Sequence, residues 1–337
     1  MSDIIGPDFN RKRVLSGMQA SGKLHLGNLV GALANWVRLQ EEYECFYFVA
    51  DWHALTANYA EAKGIKESTM DLLVNFLAAG LDPKKCTVFV QSMVPRHAEL
   101  HLLLSMITPL GWLERVPTYK EKKEELEDKD LSTYGFLGYP VLQSADILIY
   151  RANYVPVGID QLPHLEITRE IARRFNYFYG EILPEPEGLL TEFPKVPGVD
   201  GRKMSKSYGN AIYLSDAPQV VEEKIRTMTT DPARKRRTDP GNPELSPVYH
   251  LHKIFSTEEE QDWVVKGCVS AGIGCLDCKK VLIKNVFSVM EPIWKRREAF
   301  LADPGYLLNI AREGSEKAAR AAGETLKAVK EAMGFGL

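Results

Sequence analysis

The chain reads as an α/β protein, a doubly wound parallel sheet followed by an all-helical C-terminal part. Three observations carry this. Short apolar runs of strand length alternate with segments of helical periodicity from Arg13 to Asn176, the order that builds parallel sheets. The first of these runs ends in a small glycine-bearing turn that feeds a helix. Beyond Ser207 the strand-like runs stop and helical periodicity takes over.

The opening segment, 13–28, organises the rest. A strand led by Val14 and Leu15 runs into Gln19-Ala20-Ser21-Gly22-Lys23, and a helix follows over 26–41 with Leu29, Leu33, Trp36 and Val37 on one face. Gly22 allows a sharp turn, and Gly27 removes a side chain where another group must come close. A helix N-terminus offers backbone N–H groups and a positive dipole end, which suits an anion such as phosphate. His25 and Asn28 add side-chain donors beside it. The turn is not a Walker A loop, because no Gly-Lys-Ser/Thr follows the spacer.

The run 45–50 is apolar throughout, like a strand buried on both faces, and ends in Asp51-Trp52-His53. Polar groups at the C-terminal end of such a strand lie where open α/β sheets bind ligands, so His53 is either a site residue or a packed imidazole. A helix is predicted over 65–81, stopped by Gly80 and Asp82-Pro83, then a strand over 87–91 and a helix over 97–108. The charged run 121–130 reads as a solvated helix face. The helix 139–150 is apolar nearly all round, with Tyr139, Gln143 and Asp146 on one face. A carboxylate there is costly unless something donates to it, either the protein or a substrate N–H or O–H. A strand over 153–157 ends in Gly158-Ile159-Asp160-Gln161, ahead of a helix over 161–176.

The proline- and glycine-rich stretch 184–201 reads as a connection that delivers Arg202-Lys203-Met204-Ser205-Lys206-Ser207. Two lysines with small hydroxyl residues suit an anion that gains charge during a reaction. Helices follow over 217–228, 258–270, 282–301 and 314–333. Arg234-Lys235-Arg236-Arg237 is either a contact for a phosphate backbone or a solvated loop.

Across 337 residues, 45% hydrophobic and 26% charged content is that of a soluble globular protein, and the net charge of −3 gives no global attraction to polyanions. No apolar run is long enough to span a bilayer, so no membrane partner is expected. The first residues lack the basic and apolar regions of a secretion signal, and the expectation is a cytoplasmic protein with reduced thiols. Cys45 and Cys86 fall in the sheet and read as packed core thiols. Cys268, Cys275 and Cys278 have the spacing of a metal or cluster site but are one ligand short of four.

Two segments together, Ser21-Gly22-Lys23-Leu24-His25-Leu26-Gly27-Asn28 and Lys203-Met204-Ser205-Lys206-Ser207, resemble the paired signatures of class I aminoacyl-tRNA synthetases. The stretches 51–56, 139–150, 155–166 and 324–329 resemble the tryptophanyl-tRNA synthetase family of bacterial type, and the likeness covers nearly the whole chain. It implies a Rossmann-like catalytic domain over 1–207 and a helical anticodon-binding domain over 208–337. It further implies the substrates ATP, tryptophan and tRNA(Trp), an accompanying Mg²⁺, and a homodimer. Carried onto this chain, Gln19, Ala20, Ser21, Gly27 and Asn28 would hold the nucleotide with Gly158, Ile159, Asp160 and Lys203–Ser207. His25, Asn28, Lys120, Lys203 and Lys206 would do the chemistry. Leu15, His53, Tyr139, Gln143, Asp146, Val155, Val157 and Gln161 would form the tryptophan pocket, with Asp146 accepting the indole N–H.

Two departures stand out. Gln143 and Leu15 replace the methionine and phenylalanine that many relatives set against the indole. The Tyr139, Gln143, Asp146 face also resembles tyrosyl-tRNA synthetases, but those carry a tyrosine at the place of Leu15 to meet the substrate hydroxyl. The cysteine spacing resembles an iron–sulfur motif of some tryptophanyl enzymes, whose further cysteine is Leu245 here. A tyrosine enzyme, a non-charging tryptophan-binding paralogue and a small-molecule nucleotidylyltransferase are the competing readings.

Overall fold

Strand β1 (Arg13–Gln19) is flanked on both sides by parallel partners, in a five-stranded sheet of order β3–β2–β1–β4–β5. The other strands are β2 (Glu44–Ala50), β3 (Thr87–Val90), β4 (Tyr154–Val157) and β5 (Glu187–Leu190). The computed structural model describes residues 11–116, 132–158, 161–190 and 196–335. β1 pairs with β2 from Arg13↔Glu44 to Gln19↔Ala50. The chain winds outward through β2 and β3, then returns to place β4 and β5 on the other side of β1. That reversal opens a crevice between the C-terminal ends of β1 and β4, where open α/β sheets bind ligands. All of β2 from Cys45 to Ala50 is buried, as its unbroken apolar run requires.

The helix after β1, α1, is built of Leu26–Asn28, a π-helical stretch Leu29–Leu33 and Ala34–Leu39. It is followed by α2 (Asp51–Asn58), α3 (Ile65–Ala79), α4 (Arg96–Ser105), the short α5 (Leu110–Leu113), α6 (Tyr134–Leu148) and α7 (Leu162–Tyr179). The stretch 184–201, expected to be a connection, contains β5. Four residues with only partial burial carry little local strand signal; the register Tyr154↔Glu187 to Val157↔Leu190 against β4 makes the strand.

The second half is helical: α8 (Pro218–Thr227), α9 (Pro247–Phe255), α10 (Glu258–Val269), α11 (Cys275–Ala302) and α12 (Pro304–Ala332). α9 was not foreseen, and α11 and α12 start earlier than their apolar periodicity suggests. The core continues across this half. Leu282, Val286, Met290 and Ile293 of α11 pack in the same cluster as Leu72, Leu73 and Phe76 of α3. Buried Arg297 joins the two helices through Asn75 Oδ1 (2.6 Å) and Asp71 Oδ1 (3.1 Å). No helix among the described residues is long and apolar enough to cross a membrane.

α12 lies along the edge strand β3 and covers it. A Cβ at Gly314 would fall 1.9 Å from the Val88 carbonyl oxygen, so only glycine permits this approach. One turn on, Ala318, Ala322, Leu326 and Val329 bury in the cluster that holds Phe89, Leu100 and Leu104. Gly314→Val should therefore lift α12 from the strand and cost about 2–3 kcal/mol in urea unfolding. Wild-type stability in that variant would contradict the packing.

Candidate active site

The crevice between β1 and β4 is a cavity of about 450 Å³. Leu15 from β1, His53 from α2, Tyr139, Gln143 and Asp146 from α6, Val155 and Val157 from β4, and Gln161 at the start of α7 all line it. Gln19 and Gly158, expected on the nucleotide side, line it as well. Gly31 and Ala32 of the π-helical stretch in α1 form part of its wall, a wide turn at a site of the kind where such turns recur.

Asp146 is 1% exposed, and the question of what donates to it has a structural answer. Gln91 Nε2 donates to both carboxylate oxygens, at 2.8 and 2.9 Å. His53 Nε2 lies 2.8 Å from Oδ2 and His97 Nδ1 lies 2.6 Å from Oδ1. The second nitrogen of His97 meets the Tyr150 hydroxyl at 2.7 Å. Burial pushes the Asp146 carboxyl up, but the hydrogen bonds from His53 and His97 lead the effects that outweigh it and bring the pKa to about 2. His53 is thus both things the sequence allowed, a packed imidazole and a wall of the cavity. Sequence reasoning missed Gln91 and His97. Gln91 had a signal, since it follows an apolar strand just as Asp51 follows β2. His97 had none, because its partner stands 49 positions away.

The glycine-bearing turn and the lysine loop, 185 positions apart, meet where Lys206 Nζ donates to the Ser21 carbonyl at 3.3 Å. The chain leaving the loop is stitched to the turn: Leu26 N–H donates to Ile212 O (2.9 Å) and Leu214 N–H to Leu24 O (2.9 Å). Asn210 frames the loop from within, accepting Ser205 N–H at 2.8 Å and donating to the Lys203 carbonyl at 3.2 Å. Met204 is buried, while Lys203 and Ser207 are exposed. The expected bank of free helix amides is smaller than foreseen. Leu26 N–H is taken by Ile212, and Asn28 N–H by the His25 carbonyl.

That leaves side chains to present donors at the turn. His25 N–H is held by Asn28 Oδ1 at 3.0 Å, so the nitrogen end of that amide is the one able to donate elsewhere. The His25 ring is buried, and its Nδ1 has no hydrogen-bond partner among the described residues. The group that must come close to Gly27 is this ring, 2.9 Å from where a Cβ would be. Burial, then the charges of Lys206 and Lys203, lower the His25 pKa to about 4. Burial also lowers Lys206, with Asp71 opposing it. Ala20 is buried and Ser21 exposed in the same turn. Lys120, the run 121–130, Ile159 and Asp160 lie outside the described residues.

The late cysteines do not form the metal set their spacing suggested. Cys275 and Cys278 sit in the first turn of α11 and Cys268 in α10, facing one narrow cleft. Among the described residues, no group of three or more His, Cys, Asp or Glu is placed to hold a metal ion. The Arg234 guanidinium lies 3.9 Å from the Cys268 sulfur, a cation where a cluster would need a further ligand. Cys278 Sγ meets His252 Nε2 at 3.3 Å, and burial pushes the thiol up to about 12, which disfavours the thiolate that binds metal. Leu245, at the missing ligand's place, is exposed. Arg234 also bonds the Arg237 and Ile273 carbonyls, so the basic cluster presents Lys235, Arg236 and Arg237 to solvent.

This arrangement has known counterparts. The family model described as tRNA synthetases class I (W and Y) matches residues 9–291. The tryptophan–tRNA ligase of Thermotoga maritima is 58% identical over 323 residues, covering 95% of this chain and 98% of that one. The tryptophanyl-tRNA synthetase of Campylobacter jejuni, solved in complex with ADP and tryptophan, matches with a TM-score of 0.87 at 34% identity, over 96% of this chain and 99% of that chain. The tyrosyl-tRNA synthetase of Archaeoglobus fulgidus, complexed with L-tyrosine, matches with a TM-score of 0.65 at 25% identity, over 85% and 90%. The chain belongs to the class I tRNA synthetases of tryptophan and tyrosine, and within them to the tryptophan–tRNA ligases.

Proposed function

We propose that the β1–β4 cavity and the two cationic segments beside it carry out both steps of tryptophan–tRNA ligation. A tryptophan carboxylate oxygen attacks the α-phosphorus of ATP, the bond to the bridging oxygen breaks, and pyrophosphate leaves. A hydroxyl of the terminal ribose of tRNA(Trp) then attacks the tryptophanyl carbonyl and AMP leaves. The observation that carries this reading is the contact between Lys206 and Ser21, which brings the two segments together two residues beyond Gln19, at a cavity containing one buried carboxylate. Such chemistry depends on positioning and on countering the charge of the leaving group.

In this reading Lys203 and Lys206, with Lys120, counter the charge that builds on pyrophosphate. Neutral His25 and the amide of Asn28 donate to the phosphates. Gln19, Ala20, Ser21 and Gly27 border the α-phosphate; Gly158, Ile159 and Asp160 hold adenine and ribose; Met204, Ser205 and Ser207 shape the loop. Gln161 takes the amino group, and Asp146 accepts the indole N–H. A pocket built to bond a polar group rejects an analogue lacking it far better than an apolar slot discriminates by size. A tyrosine hydroxyl would have no partner at Leu15, which is apolar and 2% exposed. The donors at the turn are amides, an imidazole and ammonium groups. They suit phosphate oxygens and not a metal, so Mg²⁺ would arrive on the nucleotide's own phosphates. The cysteine cleft does not fit a cluster, and no step runs through one.

We assign 1–207 to catalysis and 208–337 to the tRNA anticodon, where exposed Lys235, Arg236 and Arg237 suit a phosphate backbone. A homodimer is supported by large exposed apolar side chains on neighbouring elements, among them Leu102, Met106, Leu110, Tyr134 and Tyr177. Sedimentation as a monomer would remove that part. The cytoplasm is the expected compartment.

Pyrophosphate exchange with each amino acid tests the function: tryptophan alone should support it, and exchange with tyrosine alone would refute it. Lys206→Ala should lower turnover in adenylate formation by about 100-fold with the KM for ATP little changed. A large rise in that KM at normal turnover would contradict a role in the transition state. The His25 imidazole should titrate near pH 4 in the free protein by NMR and shift upward when ATP adds negative charge beside it. An unbound value near the ordinary 6.5 would mean that the ring is not buried next to the lysines.

A further inference from the structure

We infer that His97 and Tyr150 are positioning residues for amino-acid selection: the tyrosine hydroxyl holds the imidazole ring in place, and the imidazole fixes the aim of the Asp146 carboxylate. The inference rests on the reading that Asp146 accepts the indole N–H.

Neither residue lines the cavity; both stand behind Asp146 and are fully buried. An aspartate has two side-chain torsions, and a carboxylate able to swing would offer a substrate N–H no fixed lone pair. Gln91 gives one nitrogen shared between the two oxygens, which does not fix the plane. His97 on Oδ1 and His53 on Oδ2 hold the two oxygens separately. His53 is itself a wall of the cavity, so His97 is the anchor that a ligand does not touch.

The anchor needs a proton on Nδ1, because a carboxylate only accepts. With a proton on Nδ1 the ring donates to Asp146; with Nδ1 bare, a lone pair would face a carboxylate. A neutral ring protonated on Nδ1 has Nε2 free to accept, and the Tyr150 O–H is there at 2.7 Å. The hydroxyl cannot wander. The Tyr150 ring stacks on Phe46 at 4.7 Å and meets Phe89 edge-on at 5.5 Å, while His97 lies against Phe48 and Phe89. The logic matches metal sites, where a partner on the far nitrogen of a histidine orients the ring toward what it binds.

Exchange kinetics with tryptophan and with 3-(benzothiophen-3-yl)alanine, which has sulfur in place of the indole N–H, test this. Tyr150→Phe should shrink the preference for tryptophan, as the ratio of kcat/KM values, by about tenfold or more. The loss should lie in the KM for tryptophan, with kcat and the analogue's KM little changed. His97→Leu should do the same, and His97→Gln, which keeps a side-chain N–H, should recover most of the preference. A purely structural role would shift both substrates together and leave the ratio alone. Should Tyr150→Phe fail to fold, the His97 pair decides. Asp146→Ala, which removes the acceptor, is run in parallel. If it abolishes the preference while Tyr150→Phe and His97→Leu retain it, the positioning role is overturned and the pocket reading stands. If Asp146→Ala keeps the preference, the pocket reading falls and this inference with it.

Discussion

A single ionised carboxylate inside an apolar wall is the constraint around which this protein is arranged. Stripping the partners from a buried charge of this kind costs about 3–5 kcal/mol, so the fold must bring donors to Asp146 from wherever the chain holds them. They come from the end of β2 through His53, from the end of β3 through Gln91, and from α4 through His97. Three consecutive units of the sheet thus converge on one side chain of α6. The donors meet there because the parallel strands all end at the same edge of the sheet.

The second requirement is positive charge at that edge, and the chain meets it by contact at long range. The lysine loop pairs with the segment just before it, Met204 N–H donating to the Val196 carbonyl (2.8 Å) and Gly198 N–H to the Arg202 carbonyl (2.7 Å). Asn210 and Met204 hold its shape, and the strand-like pairing of 211–214 with 24–26 sets where it lies. One consequence is that the N-terminal amides of α1 are partly taken up in holding the loop in place, and are not all left for a phosphate. Positive charge beside the turn therefore comes from Lys203 and Lys206, with burial and these two charges keeping His25 neutral. In the proposed reaction a neutral donor near two ammonium groups would bond a phosphate without adding a third charge that repels them.

The helical half is not an appendage. α11 shares its core with α3, and α12 covers β3, the strand that leads into Gln91. Ser315 Oγ of α12 stands 3.5 Å from the Val90 N–H, and Lys330 pairs with Glu99 on α4, which carries His97. The elements that present two of the Asp146 donors are thus braced by the C-terminal helix. In a tryptophan–tRNA ligase this links the helical half to the segment behind Asp146 through direct packing.

What was legible in the sequence was what repeats locally. The unbroken apolar run 45–50, the glycine turn with its helix, and the shared face of Tyr139, Gln143 and Asp146 depend on periods of two and 3.6, which neighbouring residues display by themselves. The paired signatures and eight of the residues that line the cavity were readable through the family resemblance, which carries its pattern over position by position. β5 was not legible, because four half-exposed residues become a strand only when β4 offers its edge. Nor were His97 and Tyr150, whose roles come from a ring of contacts across the sheet, or Arg234, which sits by a cysteine 34 positions away. The sequence by itself determined most of the elements and the chemistry they could carry. Only the tertiary structure decided which donors face Asp146 and that Cys268 lies beside an arginine, because hydrogen bonds and charge act through space and leave no period in the chain.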